Sequence, residues 1–370
     1  MNAEPLSSVQ IGIDGLHRRR LLLAGAGLGL QAALTSVALH AAEVMPGPLR
    51  EAATPTARAP RSVLTRVVRA GERLVAMGER GLVVLSDDGG RQWRQARVPV
   101  SVTLTAASFA DARQGWMSGH SGVVLHTTDG GETWGLQTDG IALAQAALDQ
   151  SESLPQADTG RGRSIQRAKR LVDDGADKPL LSIRFADTQR GMAVGAYGLA
   201  AITDDGGETW APCLDRMPNP RGMHLNTVVH HEKTWLIGGE QGVLMRSGDD
   251  RASFDPLASP FKRSFFAATT TRKGGFVIAG LLGNACRIEP GSTEVATAEL
   301  PAPFTILSCV ELNDGRVMLL AQGGRLLVSS DGGARYTEQK PPLRAPLTSL
   351  AEAADGGLVA TSLSGVARLA

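Results

Sequence analysis

Four stretches of this 370-residue chain crowd oxygen-bearing side chains into a glycine turn: SDDGGRQW (86–93), TTDGGETW (127–134), TDDGGETW (203–210) and SSDGGARY (329–336). Asp, Ser and Thr oxygens beside glycines are what a hard cation such as calcium would use. These stretches lack the regular spacing of oxygen ligands and the closing acidic residue of a calcium loop. The structural alternative fits better. Asp88, Asp129, Asp205 and Asp331 are expected to accept hydrogen bonds from amides of their own turns, and the paired glycines to take positive φ. Trp93, Trp134, Trp210 and Tyr336 would then bury against the neighbouring unit. SGDDRASF (247–254) reads as a decayed copy and CRIEPGST (286–293) as a lost one. Turns that can decay in place are scaffold, so neither a metal nor a cofactor is expected.

Other chemistry is hard to assemble. Sialidase-type hydrolysis needs a Tyr–Glu pair, several arginines and an acid/base Asp, but the chain has 2 tyrosines, Tyr336 in a turn and Tyr197. Hydrolysis by paired carboxylates needs two acids at one cleft, and no motif pairs them. His120, His224, His230 and His231 are scattered, and Cys213, Cys286 and Cys309 are odd in number with no paired spacing. The cysteines are expected to be small buried residues, and the protein not to be an enzyme. An exo-glycosidase or a glycan-binding protein is the alternative.

What positions the turns is a repeat. Upstream of each lies G-x-x-G and an apolar run, with the second glycine at 81, 122, 198, 242, 283, 324 and 365, at intervals of 41, 76, 44, 41, 41 and 41. Each unit begins with an apolar run, such as LTAASF (104–109) or LLSIRF (180–185). A second follows a short turn, and a third follows G-x-x-G. Three or four short strands per 40–45 residues predict an all-β fold, a β-propeller of seven blades. The last unit ends after its third strand, so part of PLREAATPTAR (48–58) is expected to supply a fourth and close the ring.

In such a meander the Asp-bearing turns share one face. The G-x-x-G turns and blade linkers share the other, where Glu79, Arg80, His120, Ser121, Ala196, Tyr197, Glu240, Gln241 and Gln322 would stand. The long interval places an insertion, residues 136–179, on that second face, with short helices predicted over 141–150 and 164–172. Arg161, Arg163, Arg167, Lys169 and Arg170 make it basic, and Arg221 and His224 in the next linker could extend the patch. A solvated helix balanced by Asp158, Asp173, Asp174 and Asp177 is the competing reading.

The first 42 residues read as an export signal. Arg18, Arg19 and Arg20 precede a weakly apolar run, Leu21 to Leu39, with cleavage expected after Ala41 or Ala42. The arginines resemble the twin-arginine pattern, and no cysteine follows the run to take a lipid. Residues 43–62 would be a linker with the closing strand, and 63–370 the propeller. Formal charge is +1 for the whole chain and zero without the first 42 residues, which gives nucleic acid no field to follow.

The box S/T-x-D-x-G-x-x-W resembles the Asp-box of sialidases, sortilins and related propellers. Together with the seven units and the export signal, it makes the chain similar to the Ycf48/HCF136 family of photosystem II assembly factors. Residues 184–210 and 108–134 carry the likeness most clearly, and it extends over about 60–370. The resemblance implies a non-enzymatic monomeric scaffold that binds a membrane-protein complex on the periplasmic or lumenal side. An arginine-rich patch would form part of its surface, and the basic insertion is a positional candidate for it. The partner could also be a membrane exporter, since the architecture occurs in bacteria that do not photosynthesise.

Overall fold

The first strand of a repeat mixes buried and half-buried residues, alternating in Leu104–Phe109, whereas the second is buried almost throughout, as in Gly115–Gly119. A strand buried on both faces lies inside a layer that has neighbours on either side. The computed structural model describes residues 47–339 and 345–369 and bears this out. Seven antiparallel sheets run in sequence order: six have four strands and the seventh has three. The first strands line the centre, each packed on the next, and that of the last sheet (Leu347–Glu352) packs on that of the first (Leu64–Ala70). The sheets are therefore the blades of a propeller. Apolar clusters fill the spaces between blades; one joins Leu64, Val67 and Leu74 of blade one to Ala351 and Val359 of blade seven.

A bulge interrupts the pairing of the first two strands in every blade. At four junctions the bulged residue reaches the next blade. The hydroxyl of Thr65 donates to Leu104 O at 2.7 Å, that of Thr105 to Leu180 O at 2.6 Å, and Asn226 Nδ2 to Phe265 O at 2.8 Å. Thr348 does the same across the closing junction, donating to Leu64 O at 2.7 Å.

That latch matters because the expected closing strand does not form. Residues 48–58 contain no strand; a short helix α1 (Gly47–Arg50) and a 3-10 turn (Ala59–Arg61) flank an irregular stretch. Its polar groups are used on blade one. Ala53 N donates to Val98 O, Ser101 N to Pro48 O, and the Gln95 amide bridges Thr56 N and Thr54 O. Pro48 and Pro55 have no N–H to give a ladder. The 3-10 turn still sits beside Gly365, in the place that blade linkers take against the other turns, so the ring closes by side-chain packing, the Thr348 latch, the Arg368 bond to Gly89 O and the Arg91–Asp355 ion pair.

The two faces are as expected. The first N–H of each G-x-x-G turn donates to the residue leading into its own blade, as in Glu79 to Val63 O and Ala196 to Pro179 O. In five of these turns the residue before the second glycine stands at φ between 50° and 57° and projects outward: Arg80, Ser121, Tyr197, Gln241 and Leu282. Between blades two and three lie α2 (Gly140–Ser153) and α3 (Arg161–Asp174). Asp139 caps α2 by accepting from Ile141 N and Ala142 N. Leu143 anchors the helix in the core between blades two and three. Ala144 and Ala147 of α2, Ala168 and Leu171 of α3, and Leu214 of the next linker form a small core of their own. On α3, Val172 is exposed and Ile165 half-buried. The segment read as an export signal lies outside the described residues.

Candidate functional site

The Asp-boxes are closed structures. Asp205 Oδ1 accepts from the Thr203 hydroxyl at 2.7 Å and Thr209 N at 3.0 Å, while Oδ2 takes the Thr209 hydroxyl at 2.6 Å. Asp88, Asp129 and Asp331 are engaged in the same way by their own turns. Trp134, Trp210 and Tyr336 are buried and Trp93 half-buried. Burial pushes the Asp205 carboxyl up, but the Thr209 and Thr203 hydroxyls and the Thr209 and Gly207 amides outweigh it and hold it at about 2. Oxygens occupied in this way hold a turn together. Blade four corrects the expectation of decay, because Asp249 takes the Asp role with the Ser247 and Ser253 hydroxyls as partners. All three cysteines are free thiols, two of them fully buried.

The basic insertion behaves differently. Helix α3 stands opposite the linker that leads into blade four, and between them runs a cleft of about 830 Å³. Arg163, Arg167, Arg170 and Arg221 all line it. The linker wall is stiff, since Asn219 Nδ2 donates to Met223 O and Asn219 Oδ1 accepts from Met223 N. Arg167 is the deepest of the four. Burial lowers its pKa against the opposing pull of Asp215, and its Nη2 has no hydrogen-bond partner. It fits because Gly198 lacks a side chain: a methyl there would lie 3.0 Å from Arg167 Nη2. Arg221 Nη1 donates to Gln241 Oε1 at 3.2 Å.

Two acids share the cleft, Asp158 and Asp215, and Asp215 accepts from the Ser164 hydroxyl. Asp174 and Asp177, expected as counter-charges for the helix, pair with Lys178 instead. Among the described residues, Arg163 and Arg170 form no salt bridge. Arg161 does not join the site, because it donates to the carbonyls of Leu154 and Glu152 and closes the end of α2. Lys169 lies outside the cleft lining. Tyr197 stands at the rim, 58% exposed, its N–H donating to His224 Nδ1 and its ring edge-on to His224 at 4.9 Å. The cleft can therefore offer several guanidinium donors to carboxylates of an incoming chain.

Two carboxylates, Glu311 and Glu352, line the central channel at its Asp-box end. Glu311 accepts from Arg272 N, and Glu352 accepts from Asn313 N. Both carboxylates brace the turns between first and second strands. Neither tyrosine lines the channel.

Residues 68–147 match the family model for photosynthesis system II assembly factor YCF48. The photosystem II assembly lipoprotein Ycf48 of Synechococcus sp. (strain CC9902) is 29% identical over 242 residues, 65% of this chain and 63% of that protein. Over these residues the chain is similar to the Ycf48 family. It spans just under two thirds of that curated relative, 63% of its length. A solved structure of YCF48 bound to D1 peptide superimposes with TM-score 0.57 at 15% identity, covering 85% of this chain and 94% of that one. YCF48 from Cyanidioschyzon merolae gives 0.57 at 17%, covering 83% and 95%. The WD40 propeller domain of Doa1 gives 0.59 at 11%, covering 87% and 95%, so these likenesses speak for the fold alone. The Synechococcus protein is described as a lipoprotein, whereas the first cysteine of this chain is Cys213.

The sequence reading missed Asp215 and Asn219 in the cleft, and Arg66 and Arg184 in the channel. The signal for the last two was available: each is an arginine inside an apolar first strand, LTRVVRA and LLSIRF.

Proposed function

We propose that this protein is an exported, non-enzymatic assembly scaffold that holds an acidic segment of a membrane-protein complex against the cleft beside α3. The single observation that carries this is the convergence of Arg163, Arg167, Arg170 and Arg221 on one cleft, with Arg167 Nη2 buried and unpartnered. A buried guanidinium without a partner is costly unless a ligand supplies one. An arginine fork suits carboxylates, and Tyr197 at the rim adds an aromatic of the kind that anchors interfaces. The D1 peptide bound to YCF48 makes a membrane-protein partner a reasonable precedent. The leader with Arg18 to Arg20 would deliver the folded protein to the periplasm or a thylakoid lumen, with the mature chain starting after Ala41 or Ala42. The protein would act as a monomer, with no cofactor.

The test is in-cell crosslinking of the tagged full chain, purification and mass spectrometry, beside the charge-reversed variant Arg163→Glu/Arg167→Glu/Arg170→Glu. One membrane complex recovered with the parent and lost with the variant is the expected result. A bound glycan or sialoside turnover without a protein partner would overturn the scaffold and favour a glycosidase.

A further inference from the structure

The central channel has a charge pattern that the outer cleft does not explain. Its cavity of about 460 Å³ is lined by the first strands of all seven blades. Four arginines line it, Arg66, Arg69, Arg184 and Arg272, and two acids, Glu311 and Glu352. The acids stand at the Asp-box end with Arg69 and Arg272. Arg272 Nε lies 3.9 Å from Glu311, and Arg69 Nη1 donates to Asn313 Oδ1 at 3.4 Å. That end is balanced. Arg66 and Arg184 lie further in and have no acid beside them. Arg66 has one hydrogen bond, Nε to Thr105 O at 3.3 Å, and Arg184 Nε is buried with none. Burial lowers the pKa of both, yet a guanidinium stays protonated in a protein. Two half-buried cations thus line one polar cavity with no acid paired to either.

Arg66 and Arg184 stand two blades apart on the wall of the same cavity. Arg66 follows the bulge of blade one by one residue, and Arg184 follows that of blade three by three. On strands running the same way, two residues are an offset of about 7 Å. The hydroxyls of Ser108 and Ser182 beside them already accept from Phe185 N and Val228 N of the next blades, so they do not neutralise the arginines.

We propose that the channel is an anion site, in which Arg66 and Arg184 hold a small oxygen-bearing dianion such as hydrogenphosphate or a short dicarboxylate. The charge calls for two negative charges, and guanidinium forks match oxyanion geometry. The site is separate from the cleft and does not depend on it.

The test is calorimetric titration of the full chain with sodium phosphate and, separately, sodium succinate, ionic strength being held constant with sodium chloride. Saturable one-to-one binding of either is expected, and which of them binds names the source of the dianion. Arg184→Gln and Arg66→Gln should each weaken it about tenfold or more, the effect of losing a charge-assisted hydrogen bond. Without anion, Arg184→Gln should melt no lower than the parent, because it removes a buried unpaired cation. Arg163→Gln/Arg167→Gln in the outer cleft should leave anion binding unchanged. The proposal is overturned if neither anion binds beyond chloride, or if both channel variants bind like the parent. It is overturned equally if the cleft variant loses the binding, or if Arg184→Gln and Arg66→Gln both unfold without ligand.

Discussion

The box turns of blades three and four share a hydrogen-bond skeleton but join their neighbours differently. In blade three Gly207 N donates to the Thr203 hydroxyl, and in blade four Arg251 N donates to the Ser247 hydroxyl. Gly206 and Gly207 stand at φ 75° and 90°, and Asp250 and Arg251 at 57° and 74°. The glycine turn receives: Trp116 Nε1 and Gln137 Nε2 of blade two both donate to Gly206 O. The arginine turn receives from Arg190 at Asp250 and from Arg216 at Arg251 O, and it also sends. Arg251, 3% exposed, runs back into blade three and donates to Gly191 O and Thr203 O, each at 3.0 Å, and to Asp204 at 2.7 Å. Left-handed backbone costs a side chain about 1 kcal/mol or more, and two or three buried charge-assisted bonds offset that. Glycine is thus one way to satisfy the turn, and an arginine with carbonyls waiting for it is another.

Moving the arginine to the glycine turn should break the equivalence most strongly. A Cβ at Gly207 would lie 2.1 Å from Gln137 Oε1, and the Gln137 amide is held in place by its Nε2 donating to Gly206 O. Gly207→Arg is expected to destabilise the protein by about 3–5 kcal/mol through strain and overpacking. A shift in the denaturant midpoint at unchanged slope would measure it. A loss below about 1 kcal/mol would mean that the two junctions are interchangeable.

Removing the arginine tests the other half. Arg251→Ala should cost about 2–3 kcal/mol, since it leaves the Gly191 and Thr203 carbonyls without their donor. Arg251→Gly restores a glycine box and relieves the backbone, yet should still cost about 1–2 kcal/mol. A gain in stability on Arg251→Gly, read from the same unfolding curves, would make the arginine a tolerated accident.

The smallest effect sharpens what the turns have in common. Asp205→Ala should cost about 1 kcal/mol at neutral pH. The Asp205 carboxyl is held at about 2, below the usual carboxylate value near 4, so its contribution is complete above that value and is lost as pH falls toward 2. Asp249 is also held at about 2, by the Ser253 hydroxyl and amide and the Ser247 hydroxyl, so the arginine turn should fade over the same window. Unfolding curves from pH 6 to pH 2 should therefore converge for Asp205→Ala and the parent. A gap that stays constant with pH would show that the ionised form contributes nothing.

Spacing alone made the seven units, the two faces and the insertion legible, because a 41-residue period leaves a strand-rich chain few ways to bury its apolar faces. The decay of the blade-four box was misread for a physical reason. SGDDRASF keeps its Ser and Asp, and what replaces its glycines works only through acceptors in another blade. The closing strand was inferred from an unfilled edge, but the prolines of 48–58 and the hydrogen-bond partners offered by blade one took that segment elsewhere. Of the basic residues, Arg161 was indistinguishable in sequence from Arg163 and Arg167 until α2 ended at its guanidinium.

What the sequence by itself determined is therefore periodic: blade number, turn chemistry and the identity of each face, all set by local hydrogen bonding and side-chain alternation repeated seven times. What only the tertiary structure decided is everything that crosses between units. That includes the Thr348 latch, the direction of Arg251, the four arginines meeting in one cleft, and Arg66 and Arg184 left without counter-charges in the channel. Such contacts join residues tens to hundreds of positions apart, and their energy depends on which group the ring brings opposite, which no local pattern records.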